Sequence, residues 1–250
     1  MNLEGKVCLV TGGVRGIGAA TALRLARAGA DVAVQSRDAE SEAARETKAA
    51  IEALGRRCIS IAADMAVAAD AARTVEETVA GLGGIDVLVH NAGAAAPGSV
   101  MTVSEEVWYH AFNVHVHAVF HLCRAAIPHM IPKKEGAIVL LGSSAGHRGV
   151  LGAAAYATVK GAIPQFTRVL AREMADHNIR VNCISPGVVR TRFQDMLTPA
   201  QVKNNLENRI PLHREGTPEE IAQVIEVLAT NDFMTGSDVV IDGGLTMRIA

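Results

Sequence analysis

The chain lacks the features that mark several broad classes of protein. None of its apolar runs reaches the ~18 residues expected of a membrane-spanning helix. Its 24 Lys and Arg against 26 Asp and Glu give a net charge of −2, so it has no electrostatic signature of a nucleic-acid partner or an anionic membrane. It also has no linker, repeat or low-complexity segment, and its 250 residues are expected to form a single domain, 1–250.

Cysteine is scarce as well. The four cysteines are Cys8, Cys58, Cys123 and Cys183, which are far apart and lie in apolar runs. That distribution is typical of buried, reduced thiols and not of a disulfide framework or a zinc site. The first residues lead directly into a predicted strand, so we expect no signal peptide and a cytoplasmic protein.

What the chain does contain is a regular alternation of short β-rich runs and longer helical stretches. The predicted strands are Val7–Thr11, Val32–Ser36, Cys58–Ala62, Val87–Asn91, Ala137–Gly142, Arg180–Ser185 and Val239–Asp242. The predicted helices are Ile17–Ala28, Ala39–Leu54, Ala68–Leu82, Ser104–Met130, Ala153–Asp176 and Pro218–Ala229. This alternation predicts an α/β fold: a doubly wound, Rossmann-type, mainly parallel seven-stranded sheet with helices on both faces. The polar segment 192–216 is predicted to be a substrate lid with one short helix.

A glycine-rich turn joins the first strand to the first helix. The turn runs from Thr11 to Gly18. Glycines allow tight turning and close approach to a pyrophosphate, and the N-terminus of the following helix attracts phosphate groups. A strand, a glycine-rich turn and a helix in this order predict a dinucleotide site. The cofactor contacts expected in this turn are Gly12, Arg15, Gly16, Ile17 and Gly18.

The run Tyr156-Ala-Thr-Val-Lys160 places a phenol one helical turn from a cation. A free tyrosine has a pKa of about 10, and a nearby cation is expected to lower it. Tyr156 would then exchange a proton with a carbonyl or alcohol oxygen. Ser143 follows a predicted strand, at the sheet edge where ligands bind, so its hydroxyl can bond the substrate oxygen; Ser144 is the alternative.

These motifs, in this order, resemble the short-chain dehydrogenase/reductase family over essentially the whole chain. The resemblance extends to Asn91-Ala-Gly93 and to Asp242-Gly-Gly244. It implies a catalytic role for Ser143, Tyr156 and Lys160. Ser143 is favoured over Ser144 because the family's serine lies three residues before a glycine, which is Gly146 here. The resemblance also implies a homotetramer built on the middle helices and the last strand. The further cofactor contacts that it implies are Asp64, Met65, Asn91, Ala92, Gly93, Tyr156, Lys160, Pro186, Gly187, Val189 and Thr191.

The sequence departs from the family pattern in the middle helix. His115 stands where the family has a catalytic asparagine, and it is either a packing substitution or a participant in proton transfer. Asn113 is nearby, but two residues along a helix rotate its side chain by about 200° away from the site. His117 and His121 have the spacing of a metal pair, yet no carboxylate or cysteine completes a site there, so we predict no catalytic metal. Pro164 predicts a kink after the catalytic lysine.

The cofactor is expected to be NADP(H). An acidic residue that would grip the ribose of NAD should end the second strand, and Ser36 stands there, followed by Arg37. Arg15 and Arg37 are the expected partners of the 2′-phosphate. The leading interpretation is NADPH-dependent reduction of a ketone to a secondary alcohol.

Three alternatives stay open. One is a 3-oxoacyl-thioester reductase, for which Lys134 matches one basic carrier-docking position while His177 occupies the other. The second is a polyol or sugar dehydrogenase. The third is an NADP-binding regulatory protein without turnover.

The substrate is expected to be a small carbonyl or alcohol compound in an apolar, roomy pocket. The small residues that suggest this are Ala94, Ala95, Ala96, Ala145 and the run 152–155. The exceptions are His147, Arg148 and the lid around Phe193 and Met196. Few fixed polar groups favour hydrophobic or aryl ketones over free sugars.

Overall fold

The computed structural model describes residues 1–247, apart from the side chains of Phe193 and Met196. Its seven strands form a single parallel sheet in the order β3-β2-β1-β4-β5-β6-β7. The strands are β1 (Val7–Thr11), β2 (Asp31–Ser36), β3 (Cys58–Ala62), β4 (Val87–His90), β5 (Gly136–Leu141), β6 (Ile179–Pro186) and β7 (Asp238–Ile241). The strand order reverses between β1 and β4, where sheets of this kind open a ligand crevice. The predicted fold class is confirmed.

Helices cover both faces of this sheet. The α-helices of the described residues are α1 (Gly16–Arg27), α2 (Glu42–Glu52), α3 (Ala68–Leu82), α4 (Glu105–Phe112), α5 (Ala118–Met130), α6 (Ala154–Met174), α7 (Pro199–Asn204) and α8 (Pro218–Thr230). One core layer packs α3, α5 and α6 against the sheet, and the other packs α1, α2 and α8. Every residue of β1 and β6 is buried, as strands covered on both faces require.

Local sequence signals explain where α8 begins. Thr217 caps the helix, and Pro218 occupies its first turn. The Thr217 hydroxyl accepts a hydrogen bond from the backbone N–H of Glu220, whose carboxylate accepts one from the backbone N–H of Thr217. This reciprocal capping box satisfies two N–H groups that a helix start leaves unpaired.

The long middle helix is not continuous as predicted. A π-helical turn, Asn113–His117, separates α4 from α5. Asn113 is not among the residues that line the cavity described below, and its side-chain oxygen lies 3.0 Å from Nδ1 of the exposed His117. π-turns inside α-helices are frequent at functional sites, and this one carries His115.

α6 runs through Pro164 without a break over its 21 residues, and the kink expected there stays a prediction. Proline supplies no N–H to the Lys160 carbonyl four residues earlier. The backbone of Gly146 lies against that same carbonyl: a Cβ added to Gly146 would stand 2.7 Å from the Lys160 oxygen. The Lys160 carbonyl therefore lacks its usual helical N–H donor, and the backbone of Gly146 packs closely against it instead.

The predicted lid segment contains more helix than expected. A 3-10 turn, Arg192–Met196, precedes α7, which continues into a π-turn, Asn205–Arg209. Its far end is tied back to the segment that follows β6, because Gly216 pairs with Val189 in an isolated β-bridge. The segment is thus anchored at both ends.

Three other expectations concerned the cysteines, membrane-spanning helices and metal sites. The four cysteines are buried free thiols. Between residues 1 and 247, no helix combines the length and the apolar character needed to cross a bilayer. The same stretch, side chains of Phe193 and Met196 excepted, holds no group of three or more His, Cys, Asp or Glu side chains placed to bind a metal ion.

Candidate active site

A cavity of about 1330 Å³ opens at the carboxyl edge of the sheet, beside the switch point between β1 and β4. It gathers segments that follow β1, β4, β5 and β6, so residues far apart in the chain share one space. The predicted site residues that line it are Gly12, Arg15, Gly16, Ile17, Arg37, Asn91, Ala92, Gly93, His115, Ser143, Tyr156, Lys160, Pro186, Gly187, Val189 and Thr191.

The glycine-rich turn is built around close backbone approaches. Gly12 has φ = +60°, in the left-handed region, and a Cβ there would lie 2.9 Å from the Asn91 amide nitrogen. Gly18 does not line the cavity, in contrast to its predicted contact role. It packs beneath the turn, where a Cβ would stand 2.0 Å from the Gly12 carbonyl oxygen. The turn therefore keeps its shape and its open face only with glycine at both positions.

A network of buried hydrogen bonds holds this turn to β4, and most of it was not predicted from the sequence. The Asn91 amide donates to the carbonyls of Thr11 and Gly12, at 3.2 and 3.1 Å. The Thr11 hydroxyl accepts from the backbone N–H of Asn91 and lies 2.9 Å from Nδ1 of His90. His90 is 4% exposed, and Nε2 lies 3.2 Å from the Val114 carbonyl. Burial lowers the pKa of His90 to about 3, so the ring is neutral and serves as a connector.

Ser143, Tyr156 and Lys160 come together at the floor of the cavity. Ser143 follows β5, and its hydroxyl accepts from the backbone N–H of Ala145 at 3.1 Å and hydrogen-bonds the Tyr156 phenol. The ammonium nitrogen of Lys160 donates to the Leu141 carbonyl at 2.7 Å and lies 5.8 Å from the centroid of the Tyr156 ring. The structure thus joins an oxygen ligand, a proton donor and a cation.

The expected depression of the Tyr156 pKa is not found. Burial raises the pKa of the phenol, and the hydrogen bond from Ser143 opposes this only in part. Burial also lowers the pKa of Lys160 to about 8. Desolvation is the largest cause of both shifts because both groups are enclosed by the core. At neutral pH, Tyr156 is protonated and Lys160 is mostly charged, the state required of a proton donor.

His115 is 2% exposed and has a defined set of contacts. Its Nε2 lies 3.0 Å from the Ala94 carbonyl and 3.2 Å from the Ala94 N–H. Its ring packs edge-on against Tyr156, with centroids 5.8 Å apart, and a Cβ on Gly93 would meet it at 2.5 Å. Nδ1 makes no hydrogen bond to any described residue. Burial holds the pKa of His115 well below 6.5, so the ring is neutral near pH 7.

Three further predicted cofactor contacts lie outside the described lining. The Ser36 hydroxyl donates to the Asp38 carbonyl at 2.7 Å. Asp64 shapes its own turn, because its side chain accepts from the N–H of Ala66 at 2.8 Å. Met65 is buried in the core, with 4% exposure. These positions stay predictions for the adenosine end.

Most of the small residues that predicted an apolar substrate pocket do not line this cavity, which also includes the predicted cofactor contacts. Of the predicted alanines only Ala145 lines it, and residues 94–96 and 152–155 do not. Six arginines line it. Arg15 and Arg37 were predicted as cofactor contacts and Arg148 as a polar exception in the pocket, whereas Arg190, Arg192 and Arg209 were not predicted. Phe193 and Met196, expected to contribute from the lid, have side chains outside the described residues.

Comparison with known proteins agrees with this geometry. The family model described as enoyl-(acyl carrier protein) reductase matches residues 12–246. The chain is 37% identical over 249 residues to the 3-oxoacyl-(acyl-carrier-protein) reductase FabG of Thermotoga maritima, covering 99% of this chain and 100% of the relative. A crystal structure of a short chain dehydrogenase from Burkholderia cenocepacia, in complex with NADP, superimposes with a TM-score of 0.90 at 35% identity, covering 98% of this chain and 99% of that chain. The chain belongs to the short-chain dehydrogenase/reductase family.

Membership of this family confirms the predicted oxidoreductase class, and a regulator without turnover is no longer a competing interpretation. It leaves the substrate open, because relatives of similar identity have different names. A cyclohexanol dehydrogenase of a Rhodococcus species is 36% identical over 262 residues, covering 98% of this chain and 97% of the relative. Family membership therefore does not identify the substrate of this chain, which has to be inferred from its own cavity.

Proposed function

We propose that the protein reduces a ketone to a secondary alcohol with NADPH. The observation that carries the proposal is the convergence of Ser143, Tyr156 and Lys160 beside the glycine turn, in one cavity. Residues 1–250 act as one NADP-binding oxidoreductase domain, with 192–216 as a lid over the substrate. The buried free cysteines support a cytoplasmic location.

The residues of the cavity fit a dinucleotide. The turn at Gly12, Gly16 and Ile17 presents its backbone beside the start of α1, where phosphate groups are attracted. Arg15 and Arg37 would hold the 2′-phosphate, and the segment Pro186–Thr191 would border the nicotinamide. Bound NADPH supplies the hydride that reduces the carbonyl carbon.

The chain's own groups then handle the oxygen and the proton. The Ser143 hydroxyl and the Tyr156 phenol bond the carbonyl oxygen and polarise it. As negative charge develops on that oxygen, the phenol transfers its proton to it, giving the alcohol. The Lys160 cation stabilises the phenolate that remains until solvent returns a proton. The reverse sequence oxidises the alcohol.

A homotetramer is part of the proposal. Large apolar side chains stand exposed on the middle helices, with Tyr109 60% and Phe120 46% exposed. The edge strand β7 also exposes Val240. Contact between copies over these helices and this strand would cover them.

Reduction of 3-oxoacyl thioesters is the second candidate, and the name of the Thermotoga maritima relative favours it. Lys134 and His177, which occupy the two carrier-docking positions, precede β5 and β6. Within one chain they therefore lie at the amino edge of the sheet, opposite the cavity. A panel of neutral ketones, alcohols, sugars and acyl thioesters, run with NADPH and NADP⁺, tests both candidates. Turnover of none of these compounds would refute the proposed function.

NADPH is expected to be preferred over NADH. Arg15 and Arg37 line the cavity, and a charged hydrogen bond to a phosphate is worth about 1.5–3 kcal/mol. Arg15→Gln and Arg37→Gln should each lower kcat/KM for NADPH by about 10- to 100-fold and leave that for NADH nearly unchanged. Arg27→Gln, at the exposed end of α1, is the matched control. Equal or better use of NADH by the wild-type enzyme would contradict this expectation.

The substitution His115→Asn is expected to be nearly silent. Nε2 of His115 can satisfy only one of the two Ala94 backbone groups beside it, whereas an amide can donate to one and accept from the other. We expect kcat/KM to change by less than about fivefold. The pH–rate profile should not move, because the buried imidazole already has its pKa well below 6.5. A displaced pH optimum in a folded variant would show that the ring takes part in proton transfer.

A further inference from the structure

The cavity carries far more positive charge than the chain as a whole. Six arginines and Lys160 are among the described residues that line it, against one acidic residue, Glu46. The net charge of the protein is −2. Low-dielectric walls lined by one sign of charge concentrate ligands of the opposite sign. The cavity is therefore built for anions.

Part of this charge is accounted for by a phosphorylated cofactor. Arg15 and Arg37 flank the glycine turn. Arg192 follows Thr191, and a Cβ on Gly16 would lie 3.0 Å from the methyl carbon of Thr191. Arg192 therefore stands on the same side of the cavity as the glycine turn. Arg190 pairs with Glu215 at 3.2 Å.

Two arginines are left without an assigned anion. Arg148 follows the 3-10 turn that begins beside Ser143, and its guanidinium donates to the carbonyl of Thr246. Arg209 is the last residue of the π-turn that follows α7, and it donates to the side-chain oxygen of Asn205 at 2.7 Å. Both guanidinium groups are oriented by neutral oxygens, and neither forms an ion pair with a described residue. Each keeps free N–H groups and a full charge.

The anchor of Arg148 is itself well fixed. Its acceptor belongs to the turn after β7, where both carboxylate oxygens of Asp242 accept backbone N–H groups, from Gly244 at 2.9 Å and Thr246 at 2.7 Å. Thr246 also lines the cavity. A guanidinium held in this way loses little freedom when it binds a planar anion, for which its geometry is suited.

We propose that the carbonyl substrate carries an anionic group, which Arg148 and Arg209 bind while Ser143 and Tyr156 hold the carbonyl oxygen. This inference rests on the proposed reductase function and replaces the expectation of hydrophobic or aryl ketones. The reaction is otherwise unchanged: a hydride from NADPH reaches the carbonyl carbon, and a proton from Tyr156 reaches the oxygen. The products are a hydroxy compound with the same anionic group and NADP⁺.

The test compares substrates that differ only in charge. 4-Oxopentanoate and 5-oxohexanoate would be assayed against their methyl esters, with NADPH saturating. We expect the acid to exceed its ester in kcat/KM by about tenfold or more, and added salt to reduce that ratio because it screens exposed charges. Acetoacetyl-coenzyme A, compared with the thioester of pantetheine, distinguishes a phosphate from a carboxylate as the anionic group.

Variants connect the preference to the two arginines. Arg148→Gln and Arg209→Gln should each bring the acid-to-ester ratio, or the coenzyme A-to-pantetheine ratio, towards one. Arg168→Gln is the matched control, since this arginine on α6 bonds only Gln165 among the described residues and does not line the cavity. Arg148→Lys, which keeps the charge and loses the fork, should retain an intermediate ratio if the glutamine variant does not fold.

The outcomes separate this inference from the function on which it rests. A ratio near one for both substrate pairs in the wild-type enzyme, with neutral ketones reduced well, would overturn the anionic substrate and leave the reductase standing. A preference for anions that survives both glutamine variants would overturn the role of these arginines. Reduction of no carbonyl compound at all would remove the proposed function itself.

Discussion

Tyr156→Phe is expected to lower kcat by about 10²- to 10⁴-fold, the usual contribution of a positioned general acid. The substitution removes one oxygen and keeps the ring, which packs against His115 and lies near the Lys160 ammonium group. The Ser143 hydroxyl keeps its bond from the Ala145 N–H, so the floor of the cavity retains its shape. Only the proton that neutralises the developing alkoxide is lost.

The chain provides a matched control for this experiment, because it has only two tyrosines. Tyr109 lies on α4 and is 60% exposed. Tyr109→Phe makes the same chemical change and should leave kcat unchanged. Steady-state rates with a ketone and fluorescence titration with NADPH measure the two effects separately. Cofactor affinity should be nearly the same in both variants, and retention of a tenth of wild-type turnover by Tyr156→Phe would mean that another group supplies the proton.

Lys160→Met is expected to abolish turnover and weaken NADPH binding without reducing the stability of the protein. Burial lowers the pKa of Lys160 from 10.5 to about 8, which corresponds to about 3 kcal/mol of destabilisation when the group is charged. Methionine removes that cost and fills the space of the stem. It also leaves the Leu141 carbonyl without its donor, which costs about 1–3 kcal/mol. The free energy of unfolding at pH 7 should therefore equal or exceed that of the wild type.

The pH dependence gives this prediction a sharper test. The unfolded chain binds a proton at Lys160 up to pH 10.5, whereas the folded protein loses it near pH 8. Wild-type stability should therefore rise with pH across this window relative to the variant. Urea unfolding at pH 7, 8, 9 and 10 measures the difference, with Lys48→Met on the exposed face of α2 as control. A difference that stays constant with pH would contradict an ammonium group destabilised by burial.

Much of the fold could be predicted because its signals are local. The bounds of Val7–Thr11, Cys58–Ala62 and Ala68–Leu82 agree with those predicted. β-Branched runs between turn residues define such strands, and apolar spacing defines the helix. The middle helix was the exception. Its π-turn depends on where Asn113–His117 packs, which periodicity does not encode.

The sequence by itself determined the doubly wound sheet and which segments end at its carboxyl edge. Ser143 was expected there because it follows a predicted strand, and strands of a parallel sheet finish on the same side, whereas Asn91 and Pro186 were expected from the family resemblance. Tertiary structure alone decided the chemistry of that edge. Burial raised the pKa of Tyr156 and lowered that of Lys160. The spacing of the two residues had predicted a lowered pKa for Tyr156.

The arginines of the cavity are the strongest case of the second kind. Arg148 comes from the loop after β5, Arg190 from the segment after β6 and Arg209 from the π-turn within the lid, and no pattern in the chain connects them. The spacing of residues along one helix or strand predicts which of them share a face. Residues on separate loops are brought together only by long-range tertiary packing, which spacing does not predict. The sequence therefore determined the reaction class, and the arginines of the assembled cavity are what support the proposal of an anionic substrate.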